Sequence, residues 1–249
     1  AHAANVLDTY DGPAARRPSV AEVGAGVVPV TYGFVNLNAD KAWLAREKRS
    51  VPTSLMELTR PEWAGKLVVP NPATSSPGLA FLLATVGGMG EEAAFAWWVQ
   101  MRANGLKVVK GWSEAYYTEF SRNGGTRPLV VSYASSPAAE LFFAKDKQAP
   151  APTANLFLPG GVYQQVEGVA LVRGGGQHEA AGRFIEFLRS APVQQALQTE
   201  MWMWPVEPTV PAAPALATVA LPASAPQPSP PNAEALSAWV TRWTRTVLK

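Results

Sequence analysis

Across 249 residues the chain has no cysteine, two histidines and a charged fraction of only 16%. Without thiols there is neither a disulfide framework nor a thiolate metal site, and the lack does not choose between cytosol and periplasm. His2 and His178 lie far apart with no local ligand partner, so a zinc site or a histidine-based triad has little to rest on. Lys plus Arg (21) nearly balance Asp plus Glu (19), and a formal net charge of +2 falls short of the basic stripe of a nucleic-acid binder. No apolar run reaches the roughly 20 residues that span a bilayer. No basic region followed by an apolar stretch opens the chain, so any signal peptide is expected upstream. Also missing are a G-x-S-x-G elbow, a P-loop, a dinucleotide fingerprint, an HExxH pair and any repeat of fixed period.

What is present is 47% hydrophobic and 10% aromatic, enough to build the core of one large domain or two small ones. Residues up to about 23 mix Gly12, Pro13, Arg16, Arg17 and Pro18 and read as loop and linker. Residues 27–35 are rich in β-branched and aromatic types and read as one or two strands, with Pro29 pointing to an edge or a crossover. Ser54 and Glu57 have capping-box spacing for a short helix. Strands are expected at 67–70, 107–110, 128–133 and 166–172, and helices from 77, over 91–101, over 179–189 and over 192–199. In the 179–189 helix, Ala181, Phe184, Ile185 and Leu188 share one face. The alternation is α/β. Nine prolines between 205 and 231 predict an extended strap or linker, after which Asn232 caps a final helix striped with Leu236, Trp239, Val240, Trp243 and Val247.

Three constellations carry chemistry. In Thr74-Ser75-Ser76-Pro77-Gly78, short hydroxyls meet the start of a helix, with Ser76 read as N-cap and Pro77 as first helical residue. Such a start attracts phosphate or carboxylate, though many capped helices bind nothing. Trp112, Tyr133, Tyr163 and the Met201-Trp202-Met203-Trp204-Pro205 cluster lie beside turn residues and not in apolar helical stripes. Aromatic faces there stack on flat heterocycles or cations, or pack into the core. Glu114 and Glu167 lie near these aromatics in sequence and either balance a ligand cation or stand as solvated strand-end charges.

Several segments, in order, resemble the thiamine-binding periplasmic protein family, the solute receptors of bacterial ABC transporters. They are Val28-Pro29-Val30-Thr31-Tyr32-Gly33, Asn71-Pro72-Ala73-Thr74-Ser75-Ser76-Pro77-Gly78-Leu79, Lys110-Gly111-Trp112-Ser113-Glu114-Ala115-Tyr116 and Val131-Ser132-Tyr133-Ala134-Ser135-Ser136-Pro137-Ala138. Tyr163-Gln164-Gln165-Val166-Glu167, Trp202-Met203-Trp204-Pro205-Val206 and Ala238-Trp239-Val240-Thr241-Arg242-Trp243 follow. The resemblance implies an α/β, two-lobed periplasmic-binding-protein-like fold with mixed sheets flanked by helices, closing on its ligand by a hinge motion. It implies a receptor and not an enzyme, with no cofactor and no metal, monomeric, periplasmic or otherwise extracytoplasmic, free or membrane-anchored through a preceding segment, and served by an ABC transporter permease. The ligand would be thiamine or its phosphates. On this resemblance Thr74, Ser75 and Ser76 hold the hydroxyethyl or phosphate end and Trp112, Tyr133 and Trp202 meet the rings, while Tyr32, Ser135 and Glu167 carry over by motif position.

The similarity begins near residue 27, whereas family members carry a further stretch ahead of it, so the first lobe is expected to be incomplete. The expected division is residues 1–33 as a residual first-lobe segment and hinge entry, 34–150 as the second lobe, and 151–249 returning to the first lobe with the strap (205–231) and terminal helix (232–248). Thr31 stands where the family often has an acidic residue, and Trp204 where it often has Tyr. Other readings are a receptor for ferric iron, a polyamine or a phosphonate, or a truncated non-binding module. For iron the only Tyr-Tyr pair is Tyr116-Tyr117. A hydrolase using a serine between 132 and 136 lacks a base.

Overall fold

A computed structural model of the chain describes residues 5–146, 148–223, 225 and 232–249. In chain order the strands are β1 (Leu7–Asp8), β2 (Val28–Asp40), β3 (Leu67–Pro70), β4 (Lys107–Val109), β5 (Leu129–Tyr133), β6 (Thr153–Leu156), β7 (Tyr163–Val169), β8 (Leu171–Val172) and β9 (Trp204–Pro205). The α-helices are α1 (Pro13–Arg16), α2 (Lys41–Arg46), α3 (Ser76–Met89), α4 (Glu91–Ala103), α5 (Trp112–Glu114), α6 (Ser136–Phe143), α7 (His178–Leu188), α8 (Ala191–Glu200), α9 (Pro214–Ala217) and α10 (Ala233–Leu248). The chain divides into two compact units, 1–33 with 165–219 and 34–164 with 220–249.

In the 34–164 unit the strand order is β4-β3-β5-β2-β6, with β3 parallel to β4 and β5, and β2 antiparallel to β5 and β6. This sheet fits the α/β class that the sequence pattern predicts and the mixed pairing that the resemblance implies. Strand period 2 sends Val35, Leu37 and Ala39 of β2 into the apolar core and Asn36, Asn38 and Asp40 to the opposite, polar and equally buried face. Helix α3 is buried nearly all round, from Pro77 through Val86, as expected of a core helix. Against it pack α4 and an aromatic group in which Trp97 and Trp98 stand edge to face at 4.8 Å and Trp98 meets Trp243 of α10 at 5.4 Å. Asn232 caps α10, its side chain accepting from the Ala235 amide at 2.7 Å. Trp243 and Val247 are buried in this core, each worth roughly 1.5–3 kcal/mol. The terminal helix therefore belongs with the 34–164 unit and not with the expected return to the first lobe, and the first boundary after β6 falls at 164 instead of 150.

In the other unit, residues 5–23 are not merely loop. Strand β1 pairs with β8, and α1 is tied to α7: Glu186 accepts from the Ala14 amide at 2.7 Å and from Arg17 at 2.5 Å. Arg189, 1% exposed, donates to the carbonyls of Ala14, Pro18 and Pro29 and pairs with Glu207 at 2.8 Å. A buried guanidinium needs this density of acceptors, and supplying them orders a segment with no periodicity of its own. The proline-rich stretch is likewise packed, with Val206, Val210, Ala213 and Leu216 buried and α9 interrupting it. Two buried glutamines of α8 hold its backbone. The Gln194 Oε1 accepts from the Val206 amide at 2.9 Å, and Gln198 both donates to the Pro211 carbonyl and accepts from the Ala213 amide. The last part of the expected strap, 224 and 226–231, lies outside the described residues. Phe184 also departs from expectation: it is 54% exposed, and Ile185 alone of the α7 stripe is buried.

Candidate functional site

Ligands of open α/β sheets gather beyond the carboxyl ends of parallel strands, because helix starts and strand-end loops converge there. Strands β4, β3 and β5 are neighbours running the same way, so the segments leaving them, 110–114, 71–76 and 134–136, emerge side by side. They are also bonded to one another. The Asn71 amide donates to the Val109 carbonyl at 2.8 Å, and the Thr74 hydroxyl donates to the Lys110 carbonyl at 2.6 Å.

The start of α3 differs from the sequence reading by one residue. Ser75 is the N-cap, Ser76 the first helical residue and Pro77 the second, and the Ser75 hydroxyl makes no capping bond. Thr74 and Ser76 are exposed and Ser75 half-buried. A helix start with uncapped amides and the Ser75 and Ser76 hydroxyls is suited to an anion, whereas the Thr74 proton is spent on Lys110. Gly78 allows it to sit where it does, since a β-carbon there would collide with the Pro70 carbonyl oxygen.

Trp112 is half-buried at the end of β4 and is fixed by its surroundings. Its indole N–H donates to the Ser132 hydroxyl at 2.8 Å, the Tyr116 ring stacks on it at 5.0 Å and 23°, and Tyr133 stands tilted at 6.2 Å. Tyr133 is half-buried, whereas Ser135 is 2% exposed at the start of α6. Glu114 accepts from the Lys110 amide at 3.2 Å, closing its own loop. Thus Thr74, Ser75, Ser76, Trp112 and Tyr133 share one end of one sheet.

Tyr32, Glu167 and Trp202 belong to the other unit. There β9 pairs with β2, Tyr32 opposite Trp204, and these rings lie 6.2 Å apart. Glu167 is exposed; its carboxylate accepts from the Thr31 hydroxyl at 3.0 Å and from Gln165 at 3.1 Å. Burial pushes the Tyr32 hydroxyl above its ordinary pKa. Trp202 has φ of +57°, a left-handed conformation that is a genuine outlier for so bulky a residue.

Sequence reasoning missed the groups behind Trp112: Ser132, Ser136, Tyr116 and Glu140. The visible signal was a lone polar residue, Ser132, inside the apolar run of β5. The Tyr116-Tyr117 pair does not form a two-oxygen metal clamp, because Tyr116 is 4% exposed and spends its hydroxyl on Glu140 at 2.9 Å.

Two compact α/β units with a loop cluster at strand ends are the architecture of periplasmic binding proteins. A solved structure described as a periplasmic thiamin binding protein matches with a TM-score of 0.81 at 28% identity, over 99% of this chain and 74% of that one. The family of bacterial extracellular solute-binding proteins matches residues 22–226, and the chain belongs to it. A thiamine-binding periplasmic protein of Salmonella typhimurium is 34% identical over 223 residues, 88% of this chain. Its counterpart in Escherichia coli gives the same figures. The chain spans 64% of the length of these two relatives.

Proposed function

We propose that the chain is the extracytoplasmic solute receptor of an ABC importer and that its solute is thiamine or a thiamine phosphate. It is a binder and not an enzyme, acts as a monomer and delivers its ligand to a membrane permease. The observation that carries this reading is the placement of an uncapped helix start with three hydroxyls beside a fixed indole, on loops bonded to each other. Thiamine offers the matching pieces: a flat aminopyrimidine, a permanently charged thiazolium for an aromatic face, and a hydroxyethyl or phosphate end for the hydroxyls and helix amides. The 34% identity to proteins named for thiamine binding supports the same solute. In this reading Thr74, Ser75 and Ser76 take the hydroxyethyl or phosphate end and Trp112 and Tyr133 the rings, while Tyr32, Glu167, Trp202 and the buried Ser135 are further contacts or supports.

Calorimetric titration with thiamine, thiamine monophosphate and thiamine diphosphate tests it, repeated on Trp112→Ala and Trp202→Ala. Saturable binding by the parent is expected, weakened roughly tenfold or more in each variant, since an aromatic contact to a cation is worth up to about 2 kcal/mol. A cooperatively folded parent that binds none of the three compounds overturns the reading.

A further inference from the structure

Behind Trp112 lie four hydrogen-bonding side chains, Ser132, Ser136, Tyr116 and Glu140. The indole N–H donates to the Ser132 hydroxyl at 2.8 Å, and the Ser132 and Ser136 hydroxyls lie 2.9 Å apart. Tyr116 donates to Glu140 at 2.9 Å, and the other Glu140 oxygen accepts from Thr153 at 2.5 Å. A carboxylate only accepts, so it fixes the sense of the Tyr116 proton. Ser132 is fully buried, Ser136 is 7% exposed and Tyr116 is 4% exposed, so water does not compete for these bonds. Tyr116 acts twice, since its ring also stacks on Trp112.

An indole free to rotate loses rotamer entropy when a ligand stacks on it, and one already held by its edge and one face does not. We propose that Ser132 is a positioning residue for solute binding: by accepting the Trp112 N–H it holds the indole in the plane that receives the flat ring of the ligand, before the ligand arrives. The assignment rests on the reading that Trp112 contacts the solute. It makes Ser132 a determinant of affinity although it touches no ligand.

The experiment is a double-mutant cycle on the full chain, with thiamine as probe. Ser132→Ala is expected to weaken binding roughly 3- to 10-fold, the worth of one hydrogen bond. Combined with Trp112→Phe, which has a ring and no N–H, the same change is expected to add nothing. Ser132→Cys, nearly isosteric and a poor acceptor, provides a second variant with a loss in the same direction. In a nitrogen–proton correlation spectrum the indole signal that vanishes in Trp112→Phe is expected to shift in Ser132→Ala. Unchanged affinity in the serine variants, or an equal loss in the presence and absence of Trp112→Phe, overturns the positioning role. Unaltered thiamine binding by Trp112→Ala instead overturns the reading beneath it and removes this assignment as well.

Discussion

The hydroxyl of Thr74 donates to the backbone carbonyl of Lys110 at 2.6 Å, joining the loop after β3 to the loop after β4. This bond makes the hydroxyl-bearing helix start and the segment that carries Trp112 a single piece of structure. Thr74→Val, which keeps the shape and removes the donor, is expected to lower stability by about 1 kcal/mol. Its loss of thiamine affinity should be the larger effect when both are measured, by urea unfolding and by titration, and Thr74→Ser should retain most of each.

At Gly78 two tendencies oppose each other. Alanine is the better helix former by about 1 kcal/mol, and Gly78→Ala in an open helix would stabilise. Here its β-carbon meets the Pro70 carbonyl, backbone that β3 holds in place. Overpacking costs of about 1–3 kcal/mol are usual, so after the propensity gain a net destabilisation of up to about 2 kcal/mol is expected from chemical unfolding. An increase in stability would show that α3 can slide away from β3.

Trp202 holds a left-handed backbone, φ +57°, that glycine adopts freely. Both Trp202→Ala and Trp202→Gly delete the ring and should weaken thiamine binding alike. In stability they should separate, the glycine variant exceeding the alanine variant by about 1 kcal/mol because only alanine retains the left-handed penalty. Parallel urea melts of the two proteins decide this, and equal midpoints would mean that the loop relaxes once the ring is gone.

Glu140 gives a pH dependence with a defined sign. Burial raises its pKa above the ordinary carboxylate value of 4.5, against the opposing pull of the Thr153 and Tyr116 hydroxyls and of Arg122, while Asp40 raises it further. A carboxyl with a raised folded-state pKa contributes stability fully present below the unfolded value and lost as pH rises through the folded value. Glu140→Gln keeps an acceptor for Tyr116 and cannot ionise. Its stability relative to the parent should therefore increase as pH is raised from about 4 to 7. A difference that stays constant over that range would show that Glu140 ionises in the fold at no cost.

The α/β class was legible because its signals are local: apolar, β-branched runs at 67–70 and 129–133 end in Pro70 and in Ser132-Tyr133, and helical segments follow. The strand-end loops were legible for the same reason. What holds Trp112 was not, because Ser132 lies 20 residues further along and only the parallel pairing of β3 with β4 and β5 brings the two together. Residues 5–23 read as linker because the order around Ala14 and Pro18 comes from Glu186 and Arg189, partners about 170 positions away. Local composition also misjudged Phe184, since a helix stripe shows which residues share a face and not how far the neighbouring elements extend over it.

The groups proposed to face a ligand in the 34–164 unit stand at or just beyond the ends of strands whose paired residues Val69, Val68 and Val130 are buried and Val108 half-buried, all of them away from the proposed contacts. Foldability and the proposed ligand contacts with their supports are thereby written largely in separate stretches of the same chain, with Ser132 and Tyr133 of β5 belonging to both. On the proposed reading a lineage exchanging residues 75, 76 or 112 would acquire a new cargo while every strand keeps its partner, so the scaffold would accumulate chemical history without having to be rebuilt.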